Sequence, residues 1–252
     1  MFAARRFGAR PGRPFPKPYN DRMSVFHSLF DALHQAAAPS APDPPLAVPA
    51  RLKAPAGRGD FALRPLTLED EAEWSRVRWS NNDWLEPWQS GDPQGQPGLT
   101  YAQWVEAMRR SEADGSGVVF AMVFQTAIVG QISLGAIRYG AMRTGLAGYW
   151  VDHARIGHGF APLALALLGD WALRSPDGPR LHRMEVAILP ENARSLRVVA
   201  KLGMRPEGLR KGYMYVGGRW RDHMTFSLLA EDLDGPLVDR LGASMGDAPR
   251  NV

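Results

Sequence analysis

The order of apolar and polar residues divides the chain near residue 58. Before that point Pro, Ala, Gly and Arg dominate and no apolar period is sustained. Such a composition buries too little surface to offset chain entropy, so residues 1–58 are predicted to be a mostly disordered tail. Met23–Ala37 is the exception: Phe26, Leu29, Phe30 and Leu33 fall at helical spacing and predict a short amphipathic helix. Met23 is also an alternative translation start. From Asp60 the texture changes. Phe61–Arg64 has the pattern of a strand, and Thr67 opens a helix with Asp70 as capping-box partner and Trp74 and Val77 on one face. Trp79–Gly98, rich in Trp and Pro, is too polar and irregular for core and is expected to be a loop. Thr100 caps a second helix ending near Asp114-Gly115.

Val118–Phe124 and Ile128–Ile137 follow as two strands joined at Gln125-Thr126, and Leu146–Val151 as a third. Pro162–Leu173 is so uniformly apolar that it is expected to be a buried helix. Arg183–Leu189 predicts a strand, Ala193–Leu202 a helix, and Leu209–Val216 and Trp220–Leu229 two strands joined by a Gly217-Gly218 hairpin turn. The result is one α/β domain over 59–241 with mixed connections, not an alternating doubly wound one, and a flexible tail over 242–252.

Composition narrows the function. No run of about 18 apolar residues exists, so no membrane-spanning helix is expected, and prolines rather than an apolar stretch follow Arg5, Arg6 and Arg10, which argues against a secretory signal. The chain has 0 Cys, which removes disulfides, thiolate metal sites and a thiol-based acyl-enzyme and fits a cytoplasmic location. His27, His34, His153, His158, His182 and His223 show no ligand spacing, so no metal is expected. Net charge is +4, but residues 1–58 alone carry nine basic and three acidic groups. The folded part is therefore mildly acidic, which argues against nucleic-acid binding there and favours a cationic amine as substrate.

Three stretches carry chemistry. Ile156-Gly157-His158-Gly159-Phe160-Ala161 lies between a strand end and a helix start, where glycines let backbone N–H groups converge on an anion at the positive end of a helix. A tight turn into a buried helix explains the same residues. A Walker loop is excluded because no Gly-Lys-Ser/Thr follows, and a dinucleotide fingerprint because Pro162 stands where its last Gly would be. In Pro190–Ser195, Asn192 is either a helix N-cap or a hydrogen-bonding partner for an amide-rich ligand, and Ser195 is within a turn of it. Trp220-Arg221-Asp222-His223 follows the Gly-Gly turn and by itself is no more than a strand with a cross-strand charge pair.

Taken together with His182–Val186 and Lys201–Gly208, these blocks occur in an order and spacing that strongly resembles the RimJ/RimL branch of the GNAT superfamily, the ribosomal-protein N-terminal acetyltransferases, over residues 60–232. The resemblance implies a GNAT fold: a central, mixed, mostly antiparallel twisted sheet of about seven strands, splayed at the acyl-CoA site and flanked by about four helices. It implies acetyl-CoA as co-substrate and no metal. Ile156, Gly157, His158, Gly159, Phe160 and Ala161 would form the pyrophosphate loop, with Ile156 standing where the family has Gln or Arg. Tyr149, Trp150 and Val151 would pair with the pantetheine arm, and Asn192 and Ser195 would contact its sulfur end. Asn81, Trp84 and Trp88 would help wall the acceptor site.

Direct transfer needs a neutral amine, a polarised thioester carbonyl and a proton for the leaving thiolate. Glu185 is the first candidate for the base, with pairing to Arg183 or Arg197 as the alternative. No Tyr lies in the Asn192–Leu202 helix, so Ser195 or a water is expected to protonate the thiolate. The implied acceptor is a protein N-terminus, a ribosomal protein in this branch. A small amine such as an antibiotic or polyamine is the second reading, and a non-catalytic CoA-binding module the third. Monomer and homodimer are both compatible with the sequence.

Overall fold

The computed structural model describes residues 44–95 and 98–242. The helix expected over 23–37 and nearly all of the expected C-terminal tail lie outside these residues. One eight-stranded mixed sheet organises the chain, with strand order β1-β2-β3-β4-β5-β6-β8-β7. Its strands are β1 (Leu52–Lys53), β2 (Phe61–Pro65), β3 (Val118–Phe124), β4 (Ala127–Arg138), β5 (Thr144–Val151), β6 (Arg183–Ile188), β7 (Arg205–Val216) and β8 (Arg219–Leu229). All neighbours are antiparallel except β5 and β6, which run parallel.

Helices cover both faces. On one face α1 (Glu71–Ser80) and α3 (Tyr101–Ala113) bury Trp74, Tyr101, Trp104, Val105 and Met108 against β3 and β4. The other face holds α4 (Phe160–Gly169), almost wholly buried, and α5 (Ala193–Lys201). The apolar stretch Pro162–Leu173 is helical as the pattern predicts, but its last turn, Asp170–Arg174, widens to a π-helix. There the Asp170 carboxylate accepts from the Leu237 N–H at 2.8 Å and docks the C-terminal segment on α4.

Three details depart from the pattern-based expectation. Structure reaches back before the predicted boundary at 58: Leu46 is buried, β1 pairs with β2, and the Arg58 guanidinium donates to the Val238 carbonyl at 3.0 Å. Periodicity cannot show a two-residue edge strand. Trp79–Gly98 is not a plain loop, because α1 continues to Ser80, α2 (Asn82–Leu85) follows, and Glu86–Trp88 forms a 3-10 turn. β7 begins at Arg205, four residues early, since its exposed first half is held by pairing with β8 rather than by burial.

The start of α1 is pinned electrostatically. Arg64 on β2 grips the Asp70 carboxylate with two hydrogen bonds of 2.7 and 2.6 Å, and Asp70 also accepts from the Thr67 N–H at 2.8 Å. Burial pushes the Asp70 carboxyl up, but the Arg64 and Thr67 donors outweigh it and hold it below its usual range. This contribution is complete above the unfolded value near ~4 and disappears as pH falls through the lower folded value. Asp70→Asn is expected to cost on the order of 3 kcal/mol in urea unfolding at neutral pH, because the Arg64 charge loses its partner. The deficit should shrink in acid, as the wild-type carboxylate is protonated too.

Candidate functional site

The site begins where the sheet opens. β5 stays paired with β4 as far as Gly130↔Val151, but with β6 only from Thr144↔Arg183 to Ala147↔Val186. Beyond Ala147 the parallel neighbours diverge, so Gly148–Val151 present backbone to the gap on that side with no strand pairing. Gly130 holds the other edge close: a Cβ there would lie 2.4 Å from the Trp150 carbonyl oxygen. The gap is the floor of a cleft of about 760 Å³ that runs from α5 and the start of α4 to α1 and α2.

At one mouth of the cleft the chain leaves β5 through Asp152 and a 3-10 turn at His153–Arg155. It then enters α4 through Gly157 at φ 85° and Gly159 at φ 79°, values that a side chain tolerates poorly. Gly159 is the N-cap of α4 and offers no side-chain cap, so the helix presents bare N–H groups. Phe160 fixes the helix start, stacking on Phe61 at 5.3 Å and tilting against Phe124. Arg155, Arg194, Arg197 and Lys201 border the same cleft, whose one acidic side chain, Glu191, is bonded to Arg221. Although the folded region is mildly acidic overall, this mouth is cationic. Bare helix N–H groups, glycine backbone and four cations suit a multiply charged phosphate ligand.

α5 walls the middle of the cleft. Asn192 caps it, its side-chain oxygen accepting from the Ser195 N–H at 3.1 Å, while Val199 and Leu202 face the core. The Ser195 side chain faces the Tyr149 hydroxyl from β5, which is buried beside it without a well-formed hydrogen bond. Burial raises the phenol above its ordinary pKa and keeps it protonated. Tyr149 and Ser195 therefore bring two hydroxyls together beside the unpaired edge of β5.

The far end is aromatic. Trp74, Trp84, Trp88, Trp104 and Trp150 border it, and the Trp74 Nε1–H donates to the Gln131 side chain at 3.0 Å. Its position is set by Asn81, which sits between α1 and α2. Asn81 Nδ2 donates to the Val77 carbonyl and the Asp152 carboxylate, both at 2.8 Å, and Asn81 Oδ1 accepts from the His153 N–H at 2.7 Å. One buried amide thus ties the aromatic segment to the turn that precedes the glycines. Further along, Gly91 N–H donates to the Tyr215 carbonyl at 2.8 Å, and Arg194 lies 4.6 Å from the Trp84 ring centroid.

Of the residues singled out in the sequence, Tyr149, Trp150, Val151, Ile156, Gly157, Gly159, Phe160, Ala161, Asn192, Ser195, Trp84 and Trp88 all border this cleft. Three do not. His158 folds outward, its Nδ1 3.1 Å from the Arg155 carbonyl and its ring stacked on Phe160. Asn81 is buried and spends its amide on the backbone ties above, so it organises the wall without bordering the ligand space. Glu185 lies on β6 opposite Leu146, before the strands part, and accepts from Arg183 at 2.8 Å and Arg210 at 2.9 Å. Those ion pairs hold it in a network with Glu207 and Ser227, away from the splay. Three contributors escaped the pattern. Arg78 is buried at the cleft because it follows Trp74 by one helical turn, a spacing that marks the inward face. Gln131 and Ser133 are polar residues at alternate positions in an apolar strand, which signals a lined cavity.

Among the described residues no helix is long and apolar enough to cross a membrane, and no group of His, Asp and Glu is placed to hold a metal ion. Comparison with known proteins gives a consistent result. Residues 60–205 match the family described as Acetyltransferase (GNAT) domain. The chain is 29% identical over 175 residues to the probable N-acetyltransferase YjcK of Bacillus subtilis, covering 68% of this chain and 94% of that one. It is also 29% identical over 105 residues to the ribosomal protein uS5-alanine N-acetyltransferase of Escherichia coli, covering 42% of this chain and 53% of the relative. Among solved structures, Mycobacterium smegmatis RimJ in complex with CoA-disulfide superposes with a TM-score of 0.67 at 34% identity, covering 73% of this chain and 89% of that one.

The Asn81 tie has a direct test. Asn81→Ala leaves the His153 N–H and the Asp152 carboxylate short of partners, at a cost of about 2 kcal/mol. Amide hydrogen exchange at 152–156 is expected to accelerate, while exchange in β3 and β4 stays as in the wild type.

Proposed function

Because the chain belongs to the GNAT acetyltransferase family, we propose that this N-acetyltransferase moves the acetyl group of acetyl-CoA onto the N-terminal amine of a protein. The observation that carries this reading is the convergence, in one cleft, of a phosphate cradle, an unpaired strand edge and a protonated hydroxyl pair. The bare N–H groups at the start of α4, the Gly157–Gly159 backbone and the neighbouring cations would hold the diphosphate. This cradle is made of backbone, which explains how Ile156 can stand where the family has Gln or Arg. Gly148–Val151 would pair with the amide-rich arm as an added strand, with Asn192 and Ser195 across from it. Acetyl-CoA supplies the acetyl group as an activated thioester.

The chain's own groups meet the remaining needs. Free N–H groups along the unpaired edge of β5 can polarise a carbonyl. Tyr149, acting with Ser195, would protonate the leaving thiolate, a reading supported by its burial in the cleft beside Ser195 and by the lack of Tyr in α5. The base is a different matter, since Glu185 is committed to two arginines elsewhere. The aromatic half of the cleft has no carboxylate, and the buried guanidinium of Arg78 on its wall disfavours a second cation there. An N-terminal α-amine titrates near ~8 and so reaches its neutral form with little help. Repulsion by Arg78 and loss of the proton to water replace a dedicated base.

The acceptor class rests on the same features. A polyamine or polycationic antibiotic calls for acidic side chains, which this half of the cleft lacks. The relatives named for ribosomal protein uS5-alanine N-acetylation point to a protein N-terminus instead.

Thiol release from acetyl-CoA with a panel of N-terminal peptides, followed by mass spectrometry of the products, tests the reading. Transfer to the peptide α-amine is expected, and activity restricted to polyamines would overturn the acceptor class. Tyr149→Phe should lower kcat on the order of 100-fold with little change in the KM for acetyl-CoA, as expected when a proton donor is lost. Glu185→Gln should leave kcat unchanged. The pH dependence of kcat/KM should track the acceptor amine, shifting when the peptide's amine pKa is shifted.

A further inference from the structure

Arg78 is the most unusual charge in the molecule. It lies on α1, is only 4% exposed, and borders the aromatic half of the cleft. Its Nη2 donates to the neutral side chain of Gln89, and its guanidinium lies 5.6 Å from the Trp79 ring centroid. Nη1 is buried with no hydrogen-bond partner, and no acidic side chain among the described residues pairs with it. Arg58, the other buried guanidinium among the described residues, also donates to a neutral oxygen, the Val238 carbonyl, but none of its buried nitrogens is left without a partner.

A buried cation without a counter-charge is costly, because desolvation falls on the charged form and nothing returns the loss. Burial does lower the pKa of Arg78, but only to about 10, so it remains charged at neutral pH. It contacts the neutral Gln89 and Trp79, and the aromatic half of the cleft that it borders is lined by Trp74, Trp84, Trp88, Trp104 and Gln131, none of which supplies an anion. The group is therefore set up for a negative charge that arrives with the ligand.

We propose that Arg78 is an acceptor-recognition residue that binds a carboxylate carried close to the acceptor's amine. The inference rests on the acetyl-transfer reading above and narrows its substrate class. Two sources present that chemistry: an acidic side chain at the second or third position of a protein N-terminus, and the α-carboxylate of a free amino acid. Either one would complete the guanidinium's hydrogen bonds in a dry, aromatic site where a charge-assisted pair is strong. The same group repels an acceptor with a second cation near its amine.

The test compares wild-type kcat/KM for alanine-starting peptides carrying Asp at position two or three with their Asn and Lys counterparts, and for free amino acids. The Asp peptides or the free amino acids are expected to exceed the Asn peptides by at least about tenfold, mainly through KM, with Lys peptides poorest. Which of the two groups is preferred identifies the source. Arg78→Gln should bring the Asp-to-Asn ratio close to one, and Arg78→Lys should retain part of the preference. Equal use of Asp and Asn peptides by the wild type with free amino acids no better than either, or an unchanged preference for the favoured carboxylate acceptor in Arg78→Gln, overturns the proposal. If the variants do not fold, the wild-type series decides alone. Thermal stabilisation by acetyl-CoA is measured in parallel. Its absence, with no transfer to any acceptor, defeats the acetyl-transfer reading, whereas binding and transfer without carboxylate preference defeat only the role of Arg78.

Discussion

The structure turns on the parting of two parallel strands. β5 and β6 share four paired positions and then separate at Ala147, while β5 remains bonded to β4 on its other side. A strand edge inside a sheet is a row of hydrogen-bonding groups that must find a partner. Here it is left open in the middle of the molecule, and both helix layers are arranged about the gap. α4 starts at one mouth, α5 covers the opening, and α1 with α2 closes the far end. Gly130 makes the separation local, since only a residue without a side chain lets β4 stay against β5 while β5 swings away.

The two ends of the cleft are built on different physics and joined by one amide. Polar backbone and cations form the phosphate end, and indole rings form the acceptor end. Asn81 links them through Asp152 and His153, so the turn that aims α4 and the segment that carries Trp84 form one unit. The β7–β8 hairpin adds a second brace through Ser90↔Val216. Polar groups bonded to this extent have one low-energy arrangement, which gives a loop-rich site the precision of a regular element.

Charge follows the same division of labour. The ion pairs of Arg183, Glu185, Glu207 and Arg210 lie on the paired part of the sheet, before β5 and β6 part, and satisfy one another. In that network Glu185 reinforces the pairing of β6, β7 and β8. Arg78 is the opposite case, a cation in an apolar wall with an idle donor. Tyr149 is idle in a milder way, since a protonated phenol is no burden to bury beside Ser195. Of the buried polar atoms left without a partner among the described residues, Arg78 Nη1 and the Tyr149 hydroxyl are the two whose residues border the cleft.

By itself the sequence determined the parts whose signals are local. Strand alternation, the capping pairs at Thr67 and Thr100, the glycines at 157 and 159 and the Gly217-Gly218 turn each report on a few neighbouring residues, and these elements stand where the pattern puts them. The ordered blocks around Asn192 and Trp220 were enough to suggest the family. Tertiary structure alone decided which of those residues meet. Asn81 was legible as a polar residue in a tryptophan-rich stretch, but its partners lie more than 70 residues away. Glu185 and Tyr149 occupy neighbouring strands, and only the point where those strands part separates an ion-paired carboxylate from a hydroxyl in the cleft. Composition gave the folded region a mildly acidic balance, yet the cleft is cationic, because a sum of charges carries no positions. Local sequence specifies local geometry, whereas the chemistry of a site depends on long-range packing that no window of the chain contains.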